Sequence, residues 1–143
     1  MTKIIDSFCE KDTAEAGYRL GMSSKAGDIV LLNGDLGTGK TVFAKGFGDG
    51  VGVKENINSP TFTIMQVYDT GRLPLYHFDV YRIGDIEEME EIGYEDYFFG
   101  EGVCLIEWAE LIRELIPEHI VTVTIEKDLE KGFEYRKITI DKS

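Results

Sequence analysis

A chain of 143 residues, 43% hydrophobic and 29% charged, is sized and composed for one globular domain with its own core. Its 27 acids against 15 Lys and Arg leave a net charge of −12, which excludes gripping nucleic acid through its own surface, because neutralising phosphates needs a basic face. No apolar run approaches the ~18 residues of a membrane span, and an acid interrupts the short apolar stretch at residues 1–6, so neither a spanning helix nor a signal peptide is expected.

Residues 3–8 read as a first strand. Asp12-Thr13 offers an N-cap, and helical spacing runs to about residue 24 with Ala14, Tyr18 and Met22 on one face. Gly17 and Gly21 either weaken that helix or let another element approach closely. The two cysteines, Cys9 and Cys104, read as buried reduced thiols, which fits a reducing cytoplasm.

Residues 28–32 read as a buried strand running into Gly34-Asp35-Leu36-Gly37-Thr38-Gly39-Lys40-Thr41, and residues 42–47 as a helix leaving it. This stretch fits Gly-x4-Gly-Lys-[Ser/Thr] without a mismatch. A polyphosphate must be wrapped by several backbone N–H groups, and glycines let the chain turn that tightly. Lys40 supplies a mobile cation for the β- and γ-phosphates, the Thr41 hydroxyl can ligate Mg2+, and the helix start at Val42 adds the positive end of its dipole. The helix is expected to end at residues 48–52, where glycines supply caps; Asp-x-x-Gly at 49–52 lies at that end and reads as accidental.

Pro60 breaks any continuation, and the hydroxyl-bearing loop around it, residues 56–62, reads either as a γ-phosphate sensor or as a plain strand-initiating turn. Residues 63–68 and 75–81 form a predicted hairpin around Asp69-Thr70-Gly71-Arg72. Residues 85–92 read as a short acidic helix with Ile86 and Met89 inward, and 103–106 as a buried strand ending at Glu107-Trp108. A helix with Leu111, Ile112 and Leu115 on one side is expected to stop before Pro117; residues 120–125 and 135–140 alternate as a final antiparallel pair. The expected architecture is a single three-layer α/β domain, a P-loop NTPase-like mixed sheet flanked by helices, with parallel strands around the phosphate loop.

Hydrolysis would also need a carboxylate on the metal side, at the carboxyl end of a neighbouring buried strand. Glu107 is the first choice and Asp79 the second; each could instead cap the next turn. His77 reads more readily as a structural strand histidine than as an acid–base group. Trp108 either packs the wall of the site or stacks near the base, and Arg82 either neutralises phosphate or pairs with the acidic helix. The guanine-reading Asn-Lys-x-Asp motif is absent, which favours adenine. Residues 83–112 carry ten acids and no Lys or Arg, a solvated face or a docking surface for a basic partner.

Together the loop at 34–41, Ser-Pro-Thr-Phe-Thr at 59–63, His-Phe-Asp-Val-Tyr-Arg at 77–82 and Cys-Leu-Ile-Glu-Trp at 104–108 resemble the TsaE (YjeE) family over essentially the whole chain. The resemblance implies a cytoplasmic protein that binds ATP, hydrolyses it weakly alone, and supports threonylcarbamoyladenosine formation in tRNA with TsaD and TsaB partners, touching tRNA only indirectly. It implies Mg2+ at Thr41 and Glu107, functional roles for Asp79 and Trp108 beside the Lys40 of the loop motif, and a base near the loops after the first strand and after the 120–125 strand, with Lys11 and Lys127 the nearest candidates. A small-molecule kinase is a rival reading, but its five arginines, Arg19, Arg72, Arg82, Arg113 and Arg136, are scattered rather than gathered in a lid. A nucleotide-gated binding module without turnover is the other.

Overall fold

The structure is a computed structural model and describes residues 1–35, 37–58 and 64–143. The expectations for Leu36 and for the Ser-Pro-Thr-Phe-Thr loop at 59–63 lie outside the described residues. The strands are β1 (Thr2–Ser7), β2 (Ile29–Gly34), β3 (Met65–Tyr68), β4 (Leu75–Asp79), β5 (Val103–Glu107), β6 (Val121–Lys127) and β7 (Arg136–Lys142). The helices are α1 (Glu10–Ser23), α2 (Lys40–Val51), α3 (Glu87–Glu91) and α4 (Tyr94–Phe98), with a 3-10 helix at Ala109–Leu115.

These strands form one mixed sheet in the order β1-β7-β6-β2-β5-β4-β3. β2 lies between β5 and β6 and runs parallel to both; β4 runs parallel to β5, while the outer pairs β3–β4, β6–β7 and β1–β7 are antiparallel. β5 is buried along its whole length, as expected of a parallel strand covered on both faces. One consequence matters for function: the carboxyl ends of β2, β4, β5 and β6 share one edge of the sheet.

Side chains alternate between the two faces. Val30, Leu32, Val103, Leu105, Val123 and Ile125 pack against Phe43, Phe47 and Val51 of α2 and Ala16 and Leu20 of α1. Cys104, Ile106 and Phe78 pack on the other face with Met89, Phe98, Ala109 and Ile112. Glu107, in phase with Val103 and Leu105, therefore points to the α2 face. Among the described residues no helix is long and apolar enough to cross a membrane.

Several expectations need correction. The buried face of α1 is Thr13, Ala16, Gly17, Leu20 and Gly21, whereas Tyr18 and Met22 are exposed. The two glycines decide this, because they let α2 approach so closely that the smallest face, not the most apolar one, turns inward. The N-cap is Cys9; Asp12, one turn in, accepts the Phe8 N–H at 3.0 Å. Cys9 is only partly buried, while Cys104 is fully buried and its thiol is pushed up to about 12 by that burial. The segment after Trp108 is a 3-10 helix kinked at Ile112, with Leu111 exposed, since Ala109 and Ile112 face inward at the three-residue spacing of that helix. α4 was not expected; Gly93, at φ 72°, separates it from α3.

Candidate active site

The loop joins the end of β2 to the start of α2 within six residues. Gly34 admits no side chain, since a Cβ there would lie 2.6 Å from Thr38 Oγ1 and 2.9 Å from the Ile125 carbonyl oxygen. Gly37 and Gly39 hold φ of 80° and 104°, left-handed values that other residues avoid. Thr38 closes the turn from inside: its N–H and its hydroxyl both donate to the Asp35 carbonyl, at 3.2 and 2.8 Å. The first bond inside α2 runs from Phe43 N–H to the Gly39 carbonyl at 3.0 Å. The N–H groups of Lys40, Thr41 and Val42 precede it and have no carbonyl of their own helix to bond, so they are free to meet an anion.

Two carboxylates stand beside this loop. Asp79 and Glu107 are register partners at the ends of β4 and β5, and Glu107 is also in register with Leu32 of β2. Glu107 is 4% exposed and His77 1%. His77 Nε2 lies 2.8 Å from Glu107 Oε2, while Nδ1 is buried without a partner among the described residues. The economical arrangement has Nε2–H donating to the carboxylate and Nδ1 left as the bare acceptor. His77 thereby fixes the orientation of Glu107, a link that a sequence motif alone does not reveal.

Asp79 Oδ1 accepts the Tyr81 N–H at 3.1 Å. Desolvation by burial lifts this carboxyl above its ordinary value of 3.8; the Tyr81 N–H opposes that, the Glu107 charge adds to it, and Lys40 opposes it. Because the folded value is raised, the native state binds the proton more tightly than the unfolded chain. Stability contributed by Asp79 therefore falls as pH rises through the interval above 3.8 and stays lost at neutral pH. Asp79→Asn keeps an acceptor for Tyr81 and removes the charge. It is expected to melt higher than wild type at about pH 7, with the advantage shrinking toward about pH 4. Calorimetric melts across that range check this; an unchanged or lower melting temperature at neutral pH contradicts it.

Lys40 Nζ lies 4.6 Å from the centre of the Trp108 ring, and Tyr81 packs on the same indole at 4.8 Å. Trp108 is the one non-glycine residue at positive φ among the described residues, 63°, which turns the chain sharply after β5 and aims the indole at the loop. Arg82 is exposed and forms no ion pair among the described residues. No group of three His, Cys, Asp or Glu side chains among the described residues could hold a metal unaided. Thr41 and Glu107 could supply oxygens only to a hard cation that takes most of its ligands from phosphate and water.

Cavities flank the loop on both sides. The larger, about 930 Å³, is lined by Lys40, Trp108, Arg113 and Lys127, together with Asp35 and Glu126. The smaller, about 170 Å³, lies between Cys9 and Glu10 after β1, Val42 of α2, Phe133 of the β6–β7 connection and Arg136 at the start of β7. Lys127 thus sits at the rim of the loop, whereas Lys11 is exposed and lines neither cavity. Arg136, which the sequence presents only as one of several scattered arginines, bonds the loop directly: Nε donates to the Thr38 carbonyl at 2.9 Å.

Comparison with known proteins agrees with this architecture. The family described as "Threonylcarbamoyl adenosine biosynthesis protein TsaE" matches residues 8–138. The tRNA threonylcarbamoyladenosine biosynthesis protein TsaE of Bacillus subtilis is 50% identical over 116 residues, 81% of this chain and 70% of that protein. Its namesake in Treponema pallidum is 45% identical over 115 residues, covering 80% and 84%. The crystal structure of Bacillus subtilis YdiB superposes with a TM-score of 0.81 at 38% identity, covering 98% of this chain and 84% of that one. With its loop, its paired strand-end carboxylates and a family match spanning most of its length, the chain belongs to the TsaE family.

Proposed function

We propose that this protein binds ATP with Mg2+ at the loop of residues 34–41, hydrolyses it slowly, and in doing so supports tRNA threonylcarbamoyladenosine synthesis in the cytoplasm with TsaD-like and TsaB-like partners. The observation that carries this reading is the loop geometry, in which Gly37 and Gly39 at positive φ lead into a helix start whose first N–H groups have no helical partner. Lys40 neutralises the β- and γ-phosphates once it leaves the Trp108 face. Thr41 and Glu107 would hold the Mg2+ ion, which would polarise the phosphate oxygens. Asp79 lies in register beside Glu107, where it orients water on the γ side.

Adenine is assigned to the smaller cavity, where the Phe133 ring is 82% exposed and offers a stacking surface. Slow turnover follows from the arginines. Arg136 and Arg72 are bonded to backbone carbonyls, Arg19 pairs with Glu15, Arg82 is exposed, and Arg113, exposed at the wall of the larger cavity, bonds no loop residue among those described. A finger supplied by a partner is worth ~10³–10⁵ in rate. Of the ten acids at residues 83–112, Glu107 is interior and Glu88 is partly buried, accepting the Gly84 N–H; the rest are exposed and offer a basic partner an acidic face. With a net charge of −12, contact with tRNA is left to the partners.

Titration calorimetry with ATP and Mg2+, read beside phosphate release, tests this. Lys40→Ala is expected to weaken ATP binding by about a hundredfold, in line with the loss of a charge-assisted contact, without unfolding the protein. Unchanged affinity and unchanged turnover in that variant would defeat the assignment. A phosphorylated acceptor in place of free phosphate would mark a kinase, and tight binding with no turnover even with both partners present would mark a gated module.

A further inference from the structure

We propose that Arg136 is a positioning residue that locks the phosphate loop in its anion-receiving shape before any ligand arrives. The inference rests on the reading of residues 34–41 as a phosphate cradle. Arg136 opens β7, in register with Lys127 of β6, ninety-eight positions along the chain from Thr38. Its hydrogen-bond partners among the described residues are carbonyls: Nε donates to Thr38 O at 2.9 Å, Nη2 to Gly37 O at 3.5 Å, and Nη1 to Phe133 O and Tyr135 O at 2.9 and 2.8 Å. It forms no ion pair among the described residues, so its full positive charge stands directly behind the loop.

The direction of those bonds is what matters. A trans peptide is planar and sends its C=O and the following N–H to opposite sides. With the Thr38 carbonyl held on Arg136, the Gly39 N–H must face the other way, toward the hollow of the loop. The peptides on either side of Thr38 are the ones most free to flip, because Gly37 and Gly39 tolerate both signs of φ. A flip of the 38–39 peptide would turn a carbonyl oxygen, not an N–H, toward the phosphates. Arg136 opposes that flip with a charge-assisted bond. Through Nη1 the same guanidinium holds the connection that carries Phe133, so the wall of the smaller cavity and the loop share one brace.

Arg136→Gln and Arg136→Lys test the proposal with three readouts: amide hydrogen exchange over residues 34–41 in the ligand-free protein, and affinities for ATP–Mg2+ and for inorganic tripolyphosphate–Mg2+. Arg136→Gln is expected to speed exchange across Gly37–Lys40 and to weaken both ligands by about tenfold. Equal loss for tripolyphosphate, which has no base, separates a cradle effect from one confined to the smaller cavity. Arg136→Lys retains the charge but cannot span both pairs of carbonyls, so it should fall between. Should the Gln variant not fold, the Lys variant carries the same comparison. Wild-type loop exchange in a folded variant, or unchanged tripolyphosphate affinity, overturns the role of Arg136. Failure of the wild-type protein to bind either ligand would instead overturn the nucleotide reading, while the exchange measurement would still judge the brace.

Discussion

Glu107→Gln is expected to cut ATP turnover by roughly a hundredfold or more while moving the melting temperature by only a few degrees. The two outcomes separate because the proposed function adds a role at the metal to the contact Glu107 makes with His77. One carboxylate oxygen accepts from buried His77 at 2.8 Å, and a glutamine carbonyl can take that place. The negative charge faces the loop side of the sheet, beside Asp79, and no amide can replace it at a Mg2+ ion. Glu107→Gln also removes a charge that pushes the Asp79 carboxyl up, which favours folding. Glu107→Ala should be as inactive but less stable, because it strands the Nε2–H of a ring whose Nδ1 already lacks a partner among the described residues. That loss is on the order of 1–3 kcal/mol, and each kcal/mol shifts the melting point by about 2–4 °C in a domain of this size. Phosphate release over a Mg2+ titration, with thermal melts of both variants, measures this. Wild-type turnover in Glu107→Gln would reduce Glu107 to the structural partner of His77.

What could be read in advance follows from how local each signal is. The loop was legible because its spacing is contiguous and its flanking strand and helix each announce themselves within a few residues. β5 was legible because a fully buried parallel strand is an unbroken apolar run, and this one stops at Glu107. That Asp79 and Glu107 end neighbouring strands was likewise open to inference, but their direct register was not, since it depends on β4 and β5 pairing across the sheet. His77 looked structural because a histidine in a strand gives no hint of its partner thirty residues away. Arg136 was invisible for the same reason, as its partners in the loop, Thr38 and Gly37, lie ninety-eight and ninety-nine positions away in the chain. The inward face of α1 was misjudged because apolar spacing favoured Tyr18 and Met22, whereas backbone proximity selected the small residues.

That backbone proximity is also where the largest stability effect is expected. Gly46→Ala should destabilise the protein by about 2 kcal/mol or more, although the same change in an exposed helix would stabilise by up to ~1 kcal/mol. A Cβ at Gly46 would lie 2.1 Å from the Ala14 carbonyl oxygen, and at Gly50 it would lie 2.2 Å from that of Tyr18. The approach is reciprocal, since a Cβ at Gly17 or Gly21 would lie 2.3 or 2.2 Å from the carbonyl oxygen of Phe43 or Phe47. These are backbone atoms, which cannot swing aside as a side chain would, so one helix must move. α2 is the helix that starts at Lys40, and its displacement would carry Lys40 and Thr41 away from the carboxylates. Stability and ATP affinity should therefore fall together in Gly46→Ala. Asp49→Ala, at an exposed position near the carboxyl end of α2, should leave both near wild type, since it removes an acid from the negative end of the helix dipole. Urea unfolding with parallel calorimetry decides the matter. A Gly46→Ala midpoint at or above wild type would mean that the two helices do not touch backbone to backbone, and that Gly46 has some other reason to lack a side chain.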